Sequence, residues 1–97
     1  MKIKAGVIGL GRSGWDIHCK LLQLTKEFEI YAVSDVDEER LKQAADTFGT
    51  KCFPDYAEMI KDPELELVIV CTRSNTHSAI TIDALNAGKN VVVETLW

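Results

Sequence analysis

No apolar run in this sequence approaches the ~20 residues that a membrane-spanning helix needs, so no transmembrane segment is expected. Nor is there a clustered basic face of the kind that binds nucleic acid. Lys and Arg number 11 against 15 Asp and Glu, the formal net charge is −4, and the basic residues are scattered from Lys2 to Lys89. There is no C-x-x-C. The 3 cysteines, Cys19, Cys52 and Cys71, are widely spaced and odd in number, a pattern of reduced thiols in the cytoplasm rather than of a disulfide framework. The 2 histidines, His18 and His77, belong to no cluster with metal-ligand spacing, so no metal is expected. The chain enters a strand pattern at once, and no signal peptide is expected. Linkers, internal repeats and low-complexity stretches are also lacking. What remains is one domain of 97 residues, 46% hydrophobic and 27% charged. At that length folding buries roughly 65% of the unfolded chain's surface, enough for a modest core.

Within that domain, strand and helix patterns alternate from end to end. The first strand is Ile3 to Ile8, and a helix follows from about Ser13 to Lys26. Ile17, Leu21 and Leu24 recur at i, i+4 and i+7 in that helix, a core-facing stripe. The second strand is Glu29 to Ser34. The second helix begins near Asp37, with carboxylates in its first turn, and ends at Gly49, a left-handed cap. Lys51 to Phe53 is a short third strand, and Asp55 to Ile60 a short helix before Pro63. The fourth strand, Leu65 to Thr72, contains the run Leu67-Val68-Ile69-Val70-Cys71, as expected for a parallel strand covered on both faces. A last helix spans about Asn75 to Ala87 and closes at Gly88, and Asn90 to Glu94 is the fifth strand. Right-handed crossovers then predict an α/β fold: an open parallel sheet of Rossmann type, order 3-2-1-4-5, with helices on both faces.

In such a sheet ligands bind outside the carboxyl ends of the strands, where the order reverses between strands one and four. Gly9-Leu10-Gly11-Arg12-Ser13-Gly14 lies at one of those ends, between strand and helix, and Asp35 follows 21 residues after Gly14. This G-x-G-x-x-G with a distant acid is the dinucleotide fingerprint. Gly9 allows the turn out of the strand, Gly11 lets the backbone approach a pyrophosphate, and Gly14 lets the helix pack on the sheet. Unpaired N–H groups at the helix start, Ser13 among them, face the phosphates. Arg12 has two readings, across the pyrophosphate or in solvent. Asp35 can accept from both hydroxyls of the adenosine ribose, and no arginine adjoins it, which favours NAD over NADP. Arg40 is a reservation, because the second helix's first turn could bring it near. A cap role for Asp35 is the other reading, but Asp37 suits that role better. Thr72, Arg73, Asn75, His77 and Glu94 fall at the same strand ends. Asn75 or Ser74 fits a helix cap, with a cofactor contact in addition. His77, near a helix N-terminus, suits a neutral hydrogen-bonding role rather than an acid's.

These residues resemble the glucose–fructose oxidoreductase and inositol dehydrogenase family, Gfo/Idh/MocA. The likeness rests on Gly6 to Gly14 with His18, on Ala32-Val33-Ser34-Asp35, on Val70-Cys71-Thr72 with Asn75 and His77, and on Ala84 to Glu94. The Gly88-Lys89 pair followed by an apolar strand ending in glutamate is the most specific part. The resemblance covers essentially the whole chain and implies the family's N-terminal NAD(P)-binding domain. It implies an oxidoreductase that moves hydride between a nicotinamide and a sugar, polyol or related hydroxy compound.

The family continues with Lys-Pro after the glutamate, and here Thr95-Leu96-Trp97 follow Glu94. Threonine supplies no ammonium. With the family lysine and substrate domain lacking, no catalytic residue is expected within the chain and no competence for catalysis by the chain alone. An abrupt departure after Glu94 fits a frameshift in an adenine-rich run, and it fits a truncated gene equally. A gene without a downstream frame for a second domain would exclude the frameshift. The expected partner is the dinucleotide, with self-association through the edge of the fifth strand. The alternative reading is a non-catalytic module that senses NAD.

Overall fold

Short apolar stretches bounded by turns build the sheet, and helices with one apolar stripe cover it. The computed structural model describes residues 2–11, 25–71 and 74–93, with backbone alone at 74–77. The strands are β1 (Ile3–Ile8), β2 (Phe28–Ser34), β3 (Lys51–Phe53), β4 (Leu67–Val70) and β5 (Asn90–Val93). They form one all-parallel sheet in the order β3-β2-β1-β4-β5, as the crossover rule predicts. β1 and β4 lie side by side within it. Their residues Ala5, Val7, Ile8, Val68, Ile69 and Val70 are buried, which explains the unbroken apolar runs.

Described helices are α1 (Glu38–Phe48), α2 (Tyr56–Met59) and α3 (Ser74–Asn86). The helix expected over 13–26 lies, through residue 24, outside the described residues; Lys26, its expected last residue, sits in a turn with Glu27. α1 starts where its cap dictates: the Asp37 carboxylate accepts from the N–H groups of Glu39 (2.9 Å) and Arg40 (3.4 Å). It stops at Gly49, whose φ of 64° is left-handed. α2 is a single turn. Asp55 and Ile60, expected inside it, are its caps, and Asp55 accepts from Ala57 N at 2.9 Å. α3 begins at Ser74, so Ser74 and Asn75 lie in its first turn rather than at its cap. β4 starts later than expected, because Leu65 N donates to Asp62 O and holds Leu65 in a turn.

Two clusters pack the faces of the sheet. Leu41 and Ala44 of α1 join Ala5, Val7, Leu10, Val33 and Ile69 on one. Met59 of α2 and Ile80 and Ala84 of α3 join Ile8, Ala32, Leu65, Val68 and Val70 on the other. Gly6 is demanded by this second face: a Cβ there would lie 2.9 Å from Leu65 Cδ1 and 3.0 Å from Met59 Cε. β2 carries a bulge. Ala5 pairs with Ile30 and Gly6 with Ala32, leaving Tyr31 as the extra residue. Tyr31 and Ala32 consequently both pack toward the second cluster. The Tyr31 hydroxyl donates to Asp62 (2.8 Å) and accepts from Lys51 (2.7 Å), with the Lys51 and Lys4 ammonium groups 4.6 and 5.2 Å from the ring centre. Among the described residues no helix is long and apolar enough to cross a membrane.

Candidate dinucleotide site

The carboxyl ends of β1, β2, β3 and β4 meet around a cavity of about 640 Å³. Ile8, Gly9 and Gly11 line it from β1, Ser34, Asp35 and Val36 from β2, and Cys71 from β4. Arg40 of α1, the Pro54-Asp55-Tyr56 entry to α2, and Ile80 of α3 complete the wall. The cavity therefore sits where strand order reverses, as the sequence predicts.

Backbone geometry draws the turn after β1 against the end of β2. Gly9 has φ 93°, a conformation glycine adopts without strain, and its N–H donates to Ser34 O at 2.8 Å. That bond aims the next amide at Asp35. Leu10 N donates to Asp35 Oδ2 at 2.7 Å, and Asp37 N donates to Asp35 Oδ1 at 2.8 Å. The Asp35 side chain is only 6% exposed. Each of its oxygens holds one strong bond and keeps a further lone pair for a ligand hydroxyl. Above the turn there is room: among described atoms, the glycine's chain neighbours aside, the nearest to a Cβ built on Gly11 is Arg40 Nη1, at 4.0 Å. Val36, 91% exposed at the rim, offers an apolar surface. An open glycine turn beside a fixed, ligand-ready carboxylate fits a phosphate joined to a ribose.

Of the residues predicted for this site, Gly9, Gly11 and Asp35 come together at the cavity. Arg12, Ser13, Gly14, Thr72, Arg73 and Glu94 lie outside the described residues. Asn75 and His77 are placed by backbone only, in the first turn of α3. Arg40, which sequence alone left as a reservation, reaches the site: its Nη1 is 3.6 Å from Asp35 Oδ2 and its Nε 3.8 Å from Asp37 Oδ2. Tyr56 had no sequence signal, because nothing in a one-turn helix marks which side of the sheet it joins. Its hydroxyl donates to Asp83 Oδ2 at 2.6 Å, tying α2 to α3. That bond, with some burial behind it, holds the phenol protonated and pushes its pKa up to about 12. Cys52 stands apart from the cavity lining: its thiol donates to Leu41 O at 3.2 Å, and burial pushes its pKa up. Among the described residues no group of His, Cys, Asp and Glu could hold a metal ion.

The sequence from residue 3 to residue 95 matches the family model of oxidoreductases with an NAD-binding Rossmann fold, Gfo/Idh/MocA. The chain belongs to that family. It is 41% identical over 93 residues to the myo-inositol 2-dehydrogenase of Thermotoga maritima, covering 95% of this chain and 28% of that protein. Its fold is similar to apo scyllo-inositol dehydrogenase from Lactobacillus casei (TM-score 0.91, 30% identity, 97% of this chain, 28% of that one). It is similar also to biliverdin reductase from Synechocystis, solved with biliverdin and NADP+ (TM-score 0.89, 29% identity, 97% of this chain, 29% of that one). The chain thus spans little more than a quarter of the length of these relatives. As a member of a family with an NAD-binding Rossmann fold, it is a nicotinamide dinucleotide domain, and the Synechocystis neighbour of that fold was solved with NADP+.

Proposed function

We propose that the chain is the cofactor-holding part of an oxidoreductase acting on a sugar, polyol or related hydroxy compound, and that its own cofactor is NAD in preference to NADP. The bond from Leu10 N to Asp35 Oδ2 carries this reading. It fixes a carboxylate beside an open glycine turn, the spacing at which one ligand presents a phosphate to the turn and a ribose to the acid. When bound, the nicotinamide gives or takes a hydride.

The protein's part is to hold and orient. Gly9 shapes the turn, Gly11 leaves it open, and Arg12, Ser13 and Gly14 continue the phosphate-facing motif. Asp35 accepts the ribose hydroxyls, and Val36 presents an apolar rim for the base. In sequence Thr72 and Arg73 follow β4 and Glu94 follows β5, while the backbone of Asn75 and His77 lies in the first turn of α3; these five are assigned to the reacting end of the cofactor as part of the proposal. Inositol dehydrogenases among the relatives support a polyol as the substrate class. Calorimetric titration of NADH into the chain tests the reading. Saturable one-to-one binding is expected, and heat no larger than dilution contradicts it.

Self-association through β5 belongs to the same proposal. β5 pairs with β4 alone among the described strands, and Val92 on it is exposed. A strand edge of this kind is a template for another chain. Sedimentation is expected to show dimers or larger species that dissociate on dilution, and a monomer at every concentration contradicts the proposal.

A further inference from the structure

We propose that a second copy of this chain covers the β5 edge across a two-fold axis and that the outer face of α3 seals the seam, so that the assembly is a closed dimer. The inference rests on self-association through β5 and adds to it the symmetry, the second contact surface and the size of the product.

Three observations carry it. First, the two edges of the sheet differ. β3 has 3 residues, begins at the exposed Lys51 and is followed by Pro54, and both side chains discourage a further strand. β5 holds neither charge nor proline, pairs with β4 alone among the described strands, and leaves Val92 exposed. Second, α3 is nearly uncharged. Between Ser74 and Asn86 Asp83 is the one residue among Asp, Glu, Lys and Arg, and its carboxylate accepts from the Tyr56 hydroxyl. α1, by contrast, carries Glu38, Glu39, Arg40, Lys42 and Asp46 in 11 residues. Third, the uncharged side of α3 faces the open edge. Ile80 and Ala84 point to the sheet, against β4 and β5, and Asp83 points to α2. At about 3.6 residues per turn, Ser78, Ile82 and Leu85 lie on the side away from both. Ser78 is exposed, and Ile82 and Leu85 are each 56% exposed.

Geometry and charge then select the occupant. A two-fold axis perpendicular to the sheet sets β5 antiparallel to its copy, about 4.8 Å away, and runs one sheet through both copies. α3 lies over β4 and β5, so the same axis brings two antiparallel α3 helices to about 10 Å apart on one face, a distance at which helices pack. Ser78, Ile82 and Leu85 are the side chains that fill this gap. Copies of net charge −4 repel one another least where neither presents a charge. A two-fold contact uses the same patch on both copies and is complete at two. A head-to-tail contact of β5 on a copy's β3 leaves an open edge at each end and keeps growing.

Sedimentation over a concentration series tests this on the wild-type chain, Ile82→Lys, Leu85→Lys and Gln43→Lys. All three positions are exposed on helices and lysine is a good helix former, so the fold is expected to persist, as circular dichroism checks. The wild type is expected to pass from monomer to dimer and no further. Each lysine on α3 puts an unpaired ammonium into the seam, and the dissociation constant is expected to rise at least about 10-fold, although the net charge falls in magnitude. Gln43→Lys makes the same charge change on α1 and is expected to move the constant by less than about 3-fold. A constant unchanged in Ile82→Lys and Leu85→Lys, or raised equally in Gln43→Lys, would overturn the role of α3. Species that keep growing beyond the dimer would overturn the two-fold axis. A wild-type monomer at every concentration would instead remove association through β5, and this inference with it, and leave the face to a different polypeptide.

Discussion

Asp35 has a proposed role toward a ligand and an observed one within the fold. From the sequence it is a strand-end carboxylate that can receive a ribose, and that much was legible because a dinucleotide motif places an acid at that distance. Its second job was not legible. By accepting from Leu10 N and Asp37 N it joins the turn after β1 to the start of α1, bonds that depend on where three backbone segments meet in space. Asp37 rather than Asp35 caps α1, as the sequence pattern predicts. The consequence is a stability prediction. Asp35→Ala leaves buried amides without acceptors and is expected to cost about 2–4 kcal/mol, read as a lower urea midpoint. An unchanged midpoint contradicts the joining role. Loss of NADH binding in that variant therefore mixes unfolding with lost recognition. Gly11 is the cleaner probe, because among the described atoms, its own chain neighbours aside, nothing lies closer than 4.0 Å to the added methyl.

At the scale of elements, the sequence pattern located every described strand and helix, because turn residues and caps close each of them. Its errors have local causes. α2 is one turn between Asp55 and Ile60, too short for a period to separate caps from helix. Tyr31 is an extra residue in β2, and a bulge leaves no trace in composition. What holds short α2 to α3 is also a contact between distant residues, the Tyr56 hydroxyl on Asp83. Tyr56 keeps its proton up to about 12 in the folded chain, against an ordinary value of 10.0. The folded state is thus favoured by this bond below the ordinary value, and the benefit is lost as pH rises through the interval between the two. Urea midpoints at about pH 9 and about pH 11.5 are expected to fall further in the wild type than in Tyr56→Phe, which has no such proton to lose. Identical pH slopes contradict a contribution from the bond.

For the molecule as a whole, topology follows from two rules, right-handed crossovers and burial of apolar runs, and both were readable along the chain. The cavity's position follows from the same topology. Its chemistry follows only in part: the first turn of α1 brings Arg40 near, as its place in the sequence allowed, but Tyr56 reaches the cavity by the packing of α2, which no spacing rule encodes. The site is in this sense half written in motifs and half made by tertiary structure. The motif half supplies Gly9, Gly11 and Asp35; the tertiary half supplies the guanidinium over the acid and the phenol in the wall. In the proposed function a single ligand touches both halves. The measurement that tests it most directly is a paired NADH titration of the wild type and Gly11→Ala, with thermal unfolding of each. At least a roughly 10-fold loss of affinity is expected in Gly11→Ala, because the methyl occupies the phosphate's approach. A melting temperature within about 4 °C of the wild type is expected at the same time. Equal affinity in the two proteins, both folded, would contradict it.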